Sequence, residues 1–182
     1  MSLTRLDSLF FEYVQQLHAC EAQVAKEMPR LVHGALSEEL QTLLQEHSKE
    51  SLRHEACLAK ILKQYGVSAH GVRSRIADSL LKHALEVVDM RGSTVLLDLS
   101  LILILRQLEN FERGLYEIAI AMADVLEQPE LVKTLKSCSI DEEQMEQSLI
   151  VLGDDMMDSL KLEKGMHADQ SEKGSWEGAS AV

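Results

Sequence analysis

Apolar residues return every three or four positions along most of this chain, and that spacing admits little besides long amphipathic helices. The first stripe runs through Leu6, Leu9, Phe10, Tyr13, Val14, Leu17, Cys20, Val24, Met28 and Leu31. Only two prolines occur in 182 residues, and aromatic residues make up 4%. A β-sandwich or barrel needs more turn formers and more β-branched and aromatic residues than this. The length suits a single domain with a core large enough to need no disulfide framework.

The breaks divide the chain into four long helices and one short one. Pro29 is expected to kink or end the first helix, with Gly34 as its stop and Ser37 as the N-cap of the second. The second helix runs to about Tyr65 and closes at Gly66. A loop through Ser68 and Gly71 leads to a shorter helix from about Ser74 to Met90. The third long helix spans about Thr94 to Glu127, and Pro129 opens the last, which is expected to continue to about Leu152. The pattern therefore predicts an all-α four-helix bundle of two hairpins, joined by a crossover that carries the short helix. Residues 1–153 form the bundle in this reading, and 154–182 form a mostly disordered tail.

Charge and cysteine content narrow the function. The formal net charge of −12 disfavours a nucleic-acid surface and suits metal cations. The most apolar run, Val95 to Leu105, is too short to span a bilayer and already contains Asp98. Cys20, Cys57 and Cys138 are an odd count without CxxC spacing, as expected for reduced thiols in the cytoplasm. The N-terminus has no basic segment leading into an apolar one, so no signal peptide is expected.

Several carboxylates fall on or beside apolar faces. Glu21 lies among Leu17, Cys20, Val24 and Met28. On the second helix Leu40, Leu44, His47, Ser51, His54 and Leu58 trace the inward face, with Glu50 on its margin. Glu109 and Glu112 lie between Leu105 and Tyr116, and Asp141, Glu142, Glu143 and Glu146 crowd the stripe of Leu135, Cys138, Met145 and Leu149, where Glu142 and Glu143 cannot both face inward. Glu21 and Glu50 are each about 22 Å along their helices from the turn near Gly34. Glu112 and Glu146 lie at matching distances from the turn at Pro129. Carboxylates at one height on four helices, with imidazole nearby, suit a di-iron or di-manganese centre.

At these positions the sequence resembles the YciF-type ferritin-like family, bacterial stress-associated bundles related in fold to rubrerythrin. Ala19-Cys20-Glu21-Ala22-Gln23-Val24 resembles the family's Ser-Ala-Glu-Lys-Gln-Leu, and Glu46-His47-Ser48-Lys49-Glu50-Ser51 its His-Leu-Glu-Glu-Thr. Gln107-Leu108-Glu109-Asn110-Phe111-Glu112 is similar to its Val-Glu-His-Tyr-Glu, and Asp141-Glu142-Glu143 with Glu146 to its acidic run. Asn110 stands where the family has histidine, and His54 where it usually has Gln. The resemblance implies a ferritin-like fold and a homodimer, in which Ile102 or Ile104 is expected to face the second copy. The resulting site expectation is two iron or manganese ions held by Glu21, Glu50, His54, Glu109, Glu112, Glu142 and Glu146, acting on O2 or peroxide. The rival expectation is a non-enzymatic dimeric bundle, a stress or adaptor protein without metal. His47 is expected to be a partly buried histidine or a group that orients Glu50.

Overall fold

The computed structural model describes residues 5–174, with side chains as far as Leu162. It contains α1 (Leu6–Gly34), α2 (Glu38–Gln64), α3 (Arg75–Val88), α4 (Thr94–Val125) and α5 (Pro129–Gly174). The fold is all-α, as the spacing predicts. The long helices close a ring in which α1 packs on α2, α2 on α5, α5 on α4, and α4 on α1. Helix α3 lies across α1 and α4. Among the described residues, no helix is long and apolar enough to cross a membrane.

One boundary expectation changes, the end of α5, while α1 stops at Gly34 as expected. Helix α1 continues through exposed Pro29 to Gly34, because Met28 and Leu31, both fully buried, keep the helix packed across the lost hydrogen bond. Gly34 has a packing role: a Cβ there would collide with the Val88 side chain of α3. Helix α5 does not stop near Leu152. Gly153 is buried against Ile102, and good helix formers such as Met156, Leu160 and Lys161 carry the helix onward. The expected tail is thus helical in its first part, and residues 175–182 lie outside the described ones.

The apolar run of α4 is covered within the chain. Ile102 and Ile104, expected to face a second copy, are buried in the same core as Ala77, Leu81 and Ala84 of α3 and Leu149 of α5. Leu96 and Leu103 are the exposed members of that run. An apolar pattern on every side of a helix shows only that several neighbours cover it, and α3 is one of them.

Two polar devices fix the crossover and the hairpins. The Gln23 side chain donates to the Ser74 carbonyl at 3.2 Å and accepts from the Ser74 N–H at 2.8 Å, holding the start of α3 to α1. Asp98 of α4 is buried and accepts from the Leu36 and Ser37 N–H groups at 2.9 and 2.7 Å. That carboxylate takes over the open donors of the α1–α2 turn, where Ser37 makes no side-chain cap bond. Asp98→Ala leaves those N–H groups without a partner, so a loss of about 3 kcal/mol is expected. A urea titration showing an unchanged midpoint would contradict that role for Asp98.

Candidate metal centre

The core is not continuous. One apolar cluster runs from Val24, Met28, Leu40 and Leu44 through Leu101, Leu105 and Leu149. The other gathers Phe10, Val14, Leu17, Leu58, Leu62, Tyr116 and Leu135. Between them in sequence, on all four long helices, lies a run of buried polar side chains. Glu21 comes from α1, His47, Ser51 and His54 from α2, Glu109 and Glu112 from α4, and Glu142 from α5. Helical geometry puts them there: His47, Ser51 and His54 are spaced by four and three, as are Cys138, Glu142 and Met145.

All four of these glutamates are 0% exposed. Ligand atoms from His47, Glu109, Glu112 and Glu142 lie within 4.8 Å of one another, and so do those from Glu21, His54 and Glu142. Glu142 belongs to both groups. Both carboxylate oxygens of Glu109, Glu112 and Glu142, and both ring nitrogens of His47, lack a hydrogen-bond partner. Buried polar atoms are normally paired, so this concentration of open polar atoms sets the layer apart and is compatible with a metal site.

His54 is the most engaged member. Its Nδ1 stands 3.1 Å from Glu21 Oε1 and 2.8 Å from Glu142 Oε1, while Nε2 stands 3.1 Å from Asp141 Oδ2. Carboxylates on both sides make the ring an imidazolium. Burial pulls its pKa down, but Glu142 and Glu21 overcome this and raise it to about 11. For Glu142, burial pushes upward and the His54 and His47 rings more than reverse it, to about 2. Glu21 is lifted to about 7 by burial and the charge of Glu142, against hydrogen bonds from His54 and Tyr116. The Tyr116 hydroxyl donates to Glu21 Oε1 at 2.6 Å. Glu109 and Glu112 are both raised, chiefly by burial and then by neighbouring carboxylates.

Five of the seven expected ligands, Glu21, His54, Glu109, Glu112 and Glu142, therefore lie in the two groups. Glu50 and Glu146 do not. Glu50 is on the margin of α2, where Oε2 faces His47 Nδ1 at 3.8 Å. Glu146 pairs with Arg113 and accepts from Asn110 Nδ2 at 2.7 Å. His47 takes the place expected of Glu50: it is 1% exposed, with Nε2 at 3.3 Å from Glu109 Oε1. The signal was present in the sequence, since His47 continues the stripe of Leu40 and Leu44 one turn before Ser51. Cys20 also reaches the layer, where its thiol lies beside Glu112. A groove of about 1230 Å³ on the outside of the first hairpin, bordered by His18, Lys26, Lys63 and Arg73, includes none of these ligands.

A family model described as "Domain of unknown function (DUF892)" matches residues 5–160. The chain belongs to this family. Two solved structures share its fold. The stress protein YciF of E. coli aligns with a TM-score of 0.81 at 16% identity, covering 86% of this chain and 99% of that one. YcfI from Rhodopseudomonas palustris aligns with a TM-score of 0.76 at 22% identity, covering 81% and 94%. None of the curated proteins matches this sequence. The YciF-type resemblance read from the sequence is thereby borne out, and with it the bundle fold.

The raised and lowered groups predict an unusual pH profile for metal-free protein. Folded Glu142 releases its proton near 2 and unfolded Glu near 4.5, so stability rises between those values. Folded Glu21 keeps its proton to about 7, and folded His54 to about 11 from an ordinary 6.5, so stability falls as pH rises from 4.5 through 11. Thermal melts across this range should peak on the acid side of neutrality, and a peak above pH 8 would contradict the assignment.

Proposed function

We propose that this chain is a ferritin-like stress-associated protein whose buried layer holds two iron or manganese ions and consumes O2 or peroxide. The observation that supports it is the set of open oxygens on Glu109 and Glu112, buried beside Glu142 and the open nitrogens of His47. His47, Glu109, Glu112 and Glu142 would hold one ion and Glu21, His54 and Glu142 the other, since Glu142 belongs to both groups. A carboxylate shared between two groups is the donor arrangement two adjacent cations use, and oxygen-rich sets with imidazole suit iron or manganese. When bound, such a pair supplies electrons to O2 or peroxide. The association with stress follows the likeness to the E. coli stress protein, and three free thiols fit a reducing cytoplasm.

The chain's own residues contribute proton handling and dryness. His54 must give up its Nδ1 proton before it can ligate, and Asp141 on Nε2 then fixes the tautomer. Tyr116 holds its proton toward Glu21, and Glu21 itself can keep a proton near neutral pH. The apolar clusters on either side keep bulk water from these groups.

A metal-free bundle acting as a stress or adaptor protein is favoured by one observation: Asn110 and Arg113 hold Glu146 outside both groups. Melting curves separate the readings. Manganese(II), or iron(II) without oxygen, at about a hundredfold excess over its dissociation constant should stabilise the native state by about 2.7 kcal/mol. For a chain of this size the melting temperature should then rise by about 5–10 °C. Glu112→Ala and His47→Ala should abolish the rise, and Glu146→Ala should keep it. If manganese and iron leave the melt unchanged while Glu112→Ala alone raises it, the adaptor reading holds.

A homodimer is part of the same proposal, with the exposed Leu96 and Leu103 of α4 as its apolar contact. Sedimentation should show wild-type dimers and monomers for Leu96→Glu with Leu103→Glu. Monomeric wild-type protein would remove the dimer.

A further inference from the structure

Two of the three cysteines lie outside the carboxylate layer and face each other across a helix pair. Helices α2 and α5 run antiparallel: Arg53 meets Asp141 at 2.6 Å, and His54 meets both Asp141 and Glu142. Three residues onward along α2 and three back along α5, the same register brings Cys57 opposite Cys138. There the two sulfurs come within hydrogen-bonding reach of each other. The surroundings of the two differ. Cys57 is half-buried on the margin of α2 near exposed Arg53 and Lys60, whereas Cys138 is buried in the apolar cluster.

We propose that Cys57 and Cys138 are a peroxide-reactive dithiol, with Cys57 attacking and Cys138 resolving, that closes to a reversible disulfide between α2 and α5. The asymmetry of the pair assigns the roles. An attacking thiol needs access and nearby positive charge, and a resolving thiol needs only to lie against its sulfur. Hydrogen bonding with Cys138, opposed by partial burial and assisted by His54, Lys60 and Arg53, lowers the Cys57 pKa to about 6. The same contact, with burial, keeps Cys138 protonated.

The chemistry balances in two steps. The Cys57 thiolate attacks one oxygen of hydrogen peroxide, the S–O bond forms as O–O breaks, and the departing hydroxide takes a proton to leave as water. The Cys138 sulfur then attacks the Cys57 sulfenic acid, S–S forms as S–O breaks, and the second water carries off the Cys138 proton. One peroxide is reduced by two electrons, and both sulfurs are oxidised together. A small dithiol returns the pair to the reduced state. No residue of the carboxylate layer is a reactant in either step, and a chelator keeps the test separate from the metal reading.

The test treats reduced full-length protein with one equivalent of hydrogen peroxide in the presence of a chelator, then blocks free thiols and measures intact mass and tryptic peptides. The expected result is a loss of two hydrogen atoms per chain, reversed by dithiothreitol, with peptide 54–60 linked to peptide 137–161. Cys20→Ser should form the same link, because Cys20 is buried in the other apolar cluster. Cys138→Ser should instead accumulate a Cys57 sulfenic acid that dimedone traps, and Cys57→Ser should form neither product. The peptide map of the wild-type chain decides the matter even if a serine variant fails to fold. Free, alkylated Cys57 and Cys138 after peroxide, a link to Cys20, or a disulfide joining two chains would each overturn the proposal.

Discussion

Four glutamates removed from water within one layer set the terms for the rest of this molecule. Carboxylates in a dry interior repel one another and lose their hydration, and neither cost is recovered without a positive partner or a proton. Within the chain, His54 is the partner best placed to supply one, since it stands against Glu21 and Glu142 together. The consequence is a division of protonation states. Glu142 is held ionised by the imidazolium, while Glu21, Glu109 and Glu112 are driven toward the neutral acid. Such a layer survives only with compensation elsewhere, and two large apolar clusters, one toward each end of the bundle, provide it.

Much of this was legible from the spacing of residues. Glu21, His54, Glu109, Glu112 and Glu142 lie on apolar stripes, and a carboxylate on such a stripe has nowhere to go but inward. Of the two residues that stand apart, Glu146 shows where one-dimensional reading runs out. Glu50 lies one turn from both His47 and His54, and its place on the margin of the stripe, already visible in the spacing, keeps its carboxylate out of both groups. Glu146 does lie on the buried side of α5, but Arg113 and Asn110 reach it across the gap from α4. No pattern within a single helix announces a partner on another. The same limit explains Ile102 and Ile104: a helix apolar on every side does not say which neighbour covers which face, and α3 was the missing neighbour.

The departures from the family pattern gain a physical meaning together. Asn110, where the family carries histidine, supplies an amide that binds Glu146 Oε1. His54, where the family usually carries Gln, places a cation between two carboxylates. One substitution draws a carboxylate away from the others, and the second neutralises part of what is left. Asn110 thus holds one carboxylate apart, and His54 offsets part of the charge of two others.

The hairpins are fastened at both ends. Asp98 ties the beginning of α4 to the turn between α1 and α2, and at the far end the Tyr65 hydroxyl donates to Gln128 Oε1 at 3.0 Å. A box closed at its lid and its base does not open by swinging its walls apart. Adjustment at mid-height then falls to the side chains, which can change rotamer while the backbone stays in place. A small molecule that enters the layer is then expected to pass between neighbouring side chains as they change rotamer, with the helices staying where they are.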